Sequence, residues 1–137
     1  MADITTTTTI NDGVREAVMA FQYQYIDGGN ESAVLKVDVS SLKNNSDGES
    51  CTSVRIVEAW WTIYGMTVEI LADATVDVIM MHLDADQSGY QDFTRFGGLP
   101  STLTYGASPG GDVKFTTTGS AAVTDSYQIV LRMQKLY

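Results

Sequence analysis

Tyr127-Gln128-Ile129-Val130-Leu131-Arg132-Met133-Gln134 sets Tyr127, Ile129, Leu131 and Met133 on one side of an extended chain and Gln128, Arg132 and Gln134 on the other. A period of two belongs to a strand with one face in a core and one in water, because successive side chains of an extended backbone point to opposite faces. The same period runs through Ala17, Met19, Phe21, Tyr23 and Tyr25, whose neighbours Glu16, Gln22 and Gln24 are polar. Asp27-Gly28-Gly29-Asn30 then reads as a turn, since Gly and Asn accept positive φ. Ala33, Leu35, Val37 and Val39 form the next apolar face, opposite Lys36, Asp38 and Ser40.

Working outward, residues 42–52 are polar and aperiodic, a loop. Residues 54–64 are long, β-prone and contain Trp60 and Trp61, and Gly65 marks a turn. Residues 66–72 and 76–83 read as strands, the second apolar on nearly both faces. A long irregular region is expected at 84–109, with both prolines, several glycines and a short strand near 103–105. Residues 112–117 form a strand with Val113 and Phe115 inward, and 118–125 a turn of small residues. No segment keeps a helical period. About seven or eight short strands separated by turn signals predict an all-β, single-domain antiparallel β-sandwich, jelly-roll-like in layout. The sandwich is assigned to 14–137. Residues 1–13, with the run Thr5-Thr6-Thr7-Thr8-Thr9, are expected to form an extended Thr-rich arm ordered against a partner, because β-branched residues without apolar alternation give no face to bury.

The chain of 137 residues is one domain in length and carries a net charge of −9. Its eight basic residues are scattered singly, which excludes a nucleic-acid partner, since phosphate binding needs clustered Lys and Arg. A lone cysteine, Cys51, leaves no intrachain disulfide. The first residues have neither a basic nor an apolar segment of a secretory signal, and the strongest apolar stretches, such as Val78-Ile79-Met80-Met81, are far short of a bilayer span, so no membrane partner is expected.

Catalytic signals are weak. His82 is the only histidine, and no nucleophile motif surrounds it or Cys51. Asp84-Ala85-Asp86-Gln87-Ser88-Gly89-Tyr90-Gln91-Asp92 follows the oxygen spacing of a calcium loop. Its twelfth place is Arg95 where a bidentate Glu is required, and its flanks are strand-like. Gly97-Gly98 and Gly110-Gly111 lack the spacing of a phosphate cradle. The chain is therefore read as a non-enzyme with no catalytic residue, no cofactor and no metal site. Trp60 and Trp61 carry more weight, because neighbours in a strand point to opposite faces and only one can enter the core. The outward one marks either an interface or a face covered by the protein's own long loops. Trp60, Trp61 and Thr5 to Thr9 are the candidate interface residues.

The order of several short motifs resembles a group of small virion structural proteins of tailed phages, especially aquatic ones. The motifs are Glu-Ser-Ala-Val-Leu-Lys-Val-Asp-Val-Ser at 31–40, Ala-Asp-Ala-Thr-Val-Asp at 72–77, Phe-Thr-Arg-Phe-Gly-Gly-Leu-Pro at 93–100, Gly-Asp-Val-Lys-Phe-Thr-Thr at 111–117 and Tyr-Gln-Ile-Val-Leu at 127–131. The similarity spans roughly residues 16–135. It implies a β-sandwich located in the virion, a capsid decoration or cement protein that binds the major capsid protein or another virion protein and forms a homotrimer. The 84–92 segment is more acidic than the group's pattern, and the Thr-rich arm lies outside it. The competing expectation is a glycan- or receptor-binding sandwich of a phage tail or fibre, with outward aromatics stacked on sugars.

Overall fold

Period-two patterning becomes nine antiparallel strands in the computed structural model of the chain, which describes residues 3–28 and 30–137. They are β1 (Ile4–Asp12), β2 (Glu16–Gln24), β3 (Val34–Val37), β4 (Ser53–Tyr64), β5 (Thr67–Ala72), β6 (Val78–Leu83), β7 (Ser88–Asp92), β8 (Val113–Thr118) and β9 (Ser126–Leu136). Eight of them pair as one long ribbon folded on itself: β2 with β9, β3 with β8, β4 with β7 and β5 with β6. The ribbon then rolls so that β4 also pairs β9 and β5 also pairs β8. That rolling gives two sheets, β1-β2-β9-β4-β7 and β3-β8-β5-β6, and apart from the added β1 it is the jelly-roll order.

The core is the inward side of each alternating strand. Ala17, Met19, Phe21 and Tyr23 of β2 and Tyr127, Ile129, Leu131 and Met133 of β9 are buried, and they meet Val68, Ile70, Val113 and Phe115 of the other sheet. Phe21 meets Phe115 edge to face with centroids 5.1 Å apart, and Tyr23 stacks on Tyr127 at 5.5 Å. Two lysines enter this interior with their charges answered. Lys135 Nζ, fully buried on β9, lies 2.7 Å from Asp12 Oδ1 and donates to the carbonyls of Gly13 and Lys43, tying the β1–β2 turn to the 42–52 loop. Lys36 Nζ lies 2.6 Å from Glu31 Oε2, and Tyr127 donates to the other oxygen of that carboxylate at 2.6 Å. Burial and the Glu31 charge push the Tyr127 phenol far above its ordinary range, so it stays a donor.

Several expectations are corrected. Residues 4–12 are not an arm outside the sandwich: they form β1, paired with β2 from Ile4–Gln24 to Asp12–Ala17. Met1 and Ala2 lie outside the described residues. Asp3 fastens the start of the strand, accepting from the backbone N–H groups of Ile26, Asp27 and Gly28 at 2.7, 3.0 and 2.9 Å. The 84–109 region is not irregular throughout, because it contains β7. The 103–105 strand is instead a 3₁₀ turn at Thr102–Thr104, whose Thr102 hydroxyl bridges Val54 N–H and the Gly111 carbonyl. The strand read at 76–83 starts at Val78, and the one read through Val39 ends at Val37 and passes into a 3₁₀ turn capped by Asp38.

Candidate functional site

β4 decides which surface carries aromatic groups. A bulge between Ile56 and Glu58 resets its alternation, so Ala59, Trp61 and Ile63 face inward while Glu58, Trp60, Thr62 and Tyr64 face outward. Trp61 pairs with Gly89 of β7, and its indole occupies the space a side chain there would need: a Cβ on residue 89 would sit 2.4 Å from Trp61 Cζ2. Trp61 is half-buried and packs on the core. Trp60 is 38% exposed, and its ring lies 5.3 Å from that of Tyr90, which is 50% exposed, at an interplanar angle of 33°. The loops that follow β7 do not cover this pair.

Trp60 pairs across the ladder with Val130 and Tyr90, and Thr62 with Gln128 and Ser88. Residues facing each other across a ladder share a face. The outer face of the five-stranded sheet is therefore built of Trp60, Tyr64 and Tyr90, the aliphatic Val130, Ala20 and Val18, and the neutral polar Gln22, Gln24, Gln128, Thr6 and Thr62. Two shallow hollows of about 440 and 550 Å³ lie on it side by side, with Thr62 and Gln128 lining both. Charged side chains gather at one end only. There Arg132 Nη1 meets Glu16 at 2.8 Å and the same guanidinium pairs with Glu58. Tyr90 donates to the second oxygen of Glu58, and that bond pushes its phenol up to about 12. The ion cluster thus fixes Tyr90, and Tyr90 props Trp60. The arrangement offers flat apolar and amide surface for contact.

The other sequence candidates go to separate places. Cys51 is buried, donates to the Ser53 carbonyl at 3.2 Å, and burial pushes its thiol up. His82 is at the end of β6, half-exposed, with Nε2 3.1 Å from Asp84. The oxygens of the calcium-like spacing face different partners: Asp84 meets His82, Asp86 accepts from Gly65 N–H, Ser88 donates to Thr62 and Asp92 accepts from Thr94. Among the described residues no group of three or more His, Cys, Asp or Glu could hold a metal ion, and no helix is long and apolar enough to cross a membrane. Thr5 to Thr9 are exposed on both faces of β1, away from Trp60. Tyr90, Tyr64 and the outward Gln22, Gln24 and Gln128 were missed as site residues. The signal available for Tyr90 was a glycine beside an aromatic residue in a short alternating stretch. No family model matches the chain, and neither a curated protein nor a solved structure matches it.

Proposed function

We propose that the protein is a non-enzymatic structural component of a tailed-phage virion, a decoration or cement protein that lays the outer face of its five-stranded sheet on the major capsid protein or another shell protein. The observation that carries this reading is the grouping of exposed Trp60, Tyr64 and Tyr90 on one sheet face, among neutral Thr62, Gln128 and Val130, with the Arg132–Glu16 and Arg132–Glu58 ion pairs gathered to one side of them. Interfaces between proteins are enriched in aromatic groups such as Trp and Tyr and depleted of Lys, Glu and Asp, as this part of the face is. Jelly rolls also serve as capsid and lectin domains, which agrees with the reading by analogy of fold. The work done is mechanical: many modest contacts repeated by the symmetry of a shell hold neighbouring subunits with high avidity. Copy number in purified particles tests it. Hundreds of copies per particle fit decoration of a shell, and a handful would assign the protein to a tail or fibre.

One arrangement favours the second reading, a glycan-binding face. Trp60 and Tyr90 offer ring faces beside Gln128, Thr62 and Ser88, a set able to stack on a sugar and hydrogen-bond its hydroxyls. Quenching of Trp60 fluorescence by a soluble glycan, lost in Trp60→Ser, would support this alternative over shell attachment.

A further inference from the structure

β1 is the outermost strand of its sheet, and both of its faces are exposed along Ile4 to Asn11. Open edges are ordinarily blunted with Lys, Pro or a bulge, because unpaired N–H and C=O groups recruit another strand. Ile4-Thr5-Thr6-Thr7-Thr8-Thr9-Ile10-Asn11 has no Lys, no Pro and no charge, in a chain of net charge −9. Its one bulge lies at the far end, between Thr9 and Asn11.

The ladder shows which groups face outward. Tyr25 N–H donates to the Asp125 carbonyl, which continues the β2–β9 ladder and makes the odd residues of β2 the ones bonded to β9. Hydrogen-bonded and non-bonded pairs alternate along an antiparallel ladder, so the even residues Gln24, Gln22 and Ala20 bond to β1. Their partners are Ile4, Thr6 and Thr8. Thr5, Thr7 and Thr9 therefore point their N–H and C=O groups away from the sheet.

The segment reads the same in both directions about Thr7: Ile4 mirrors Ile10, Thr5 mirrors Thr9 and Thr6 mirrors Thr8. An antiparallel second copy centred on Thr7 sets Thr7 against Thr7 and Thr5 against Thr9. Those are the residues whose backbone groups are free, so each facing pair can exchange two hydrogen bonds. The same register brings Ile4, 45% exposed, beside Ile10 of the other copy, 58% exposed, and places threonines opposite threonines, a favourable cross-strand pair. We infer that β1 is a homodimerisation edge: two copies join antiparallel about a two-fold axis at Thr7, merging their five-stranded sheets into one. This seam is independent of what the outer face docks on. It specifies a two-fold pair where the resemblance implied a trimer.

Thr7→Pro tests the seam. The Thr7 N–H points away from β2, so proline there removes no β1–β2 bond while blocking the edge. Sedimentation across a concentration series should show a reversible dimer for the native chain and association weakened more than about tenfold for Thr7→Pro, with the melting temperature unchanged when both are compared at concentrations where they are monomeric. Thr7→Cys should cross-link to itself on oxidation, because facing Cα atoms in a bonded pair stand about 5.5 Å apart. Thr5→Cys should not, because two copies of residue 5 would be about 13 Å apart along the strands. A native chain that stays monomeric throughout, a trimer indifferent to Thr7→Pro, or Thr5→Cys cross-linking as readily as Thr7→Cys would each overturn the proposal.

Discussion

β1 and β9 belong to the same sheet with only β2 between them, and they are stabilised in opposite ways. β9 pairs on both sides, with β2 and β4, and buries Tyr127, Ile129, Leu131 and Met133. β1 pairs on one side and exposes both faces, because the four-stranded sheet does not extend over it. Hydrophobic alternation decides how deep a strand sits, whereas β-propensity and backbone bonding alone suffice only for an edge. The two proposed contact surfaces lie where alternation is lost, in the threonine run, or where a second aromatic neighbour is forced outward, at Trp60 beside the inward Trp61.

The contrast breaks first at Phe21. It is fully buried against Phe115, so Phe21→Ala should cost about 3–5 kcal/mol in denaturant unfolding. Thr6→Ala in the facing strand should stay within about 0.5 kcal/mol, as exposed substitutions do. Equal losses at the two sites would mean that β1 is held by packing that its exposure does not reveal.

The tryptophans sharpen the same comparison within two residues. Trp61→Ser removes a half-buried indole from the core edge and leaves Gly89 facing a void, for an expected loss of about 2 kcal/mol. Trp60→Ser gives up mainly the contact with Tyr90 and should cost about 1 kcal/mol or less. Thermal unfolding of both variants checks the order, and a larger loss at Trp60 would reverse the assignment of faces.

The smallest effect is in acid. Hydrogen bonds from Ile26, Gly28, Tyr23 and Asp27 hold the Asp3 carboxyl well below the ordinary carboxylate range. A carboxyl lowered in the folded state contributes stability that is complete above its unfolded value near 4 and is lost as pH falls through the folded value. Exchange protection along the first half of β1 should thus persist at pH 5 and decline progressively as pH falls below about 4. Asp3→Asn should show weakened protection at both pH values, with the acid-dependent part removed.

Much of this was legible in the sequence. β2 and β9 were plain because four inward residues on each repeat at period two. The opposite orientations of Trp60 and Trp61 followed from neighbouring positions alone, but which of them turned inward did not, since the bulge at Ile56–Glu58 resets the alternation of β4. β7 reads as a turn because Ser88, Gly89 and Asp92 are turn residues, and Gly89 makes sense only with the Trp61 indole above it. β1 reads as an arm because its place is set by backbone pairing with β2 and not by a buried face. The rolled ribbon was expected only in outline, because pairs such as β3–β8 join residues some eighty positions apart and leave no local trace.

Hydroxyl-radical footprinting of the protein free and attached to particles tests directly whether the outer face of the five-stranded sheet is the docking surface. Trp60, Tyr64 and Tyr90 should lose reactivity on attachment, while Met80 and Met81 on the opposite sheet keep theirs. Unchanged Trp60 and Tyr90 with protected Met80 and Met81 would place the contact on the other sheet and contradict the assignment.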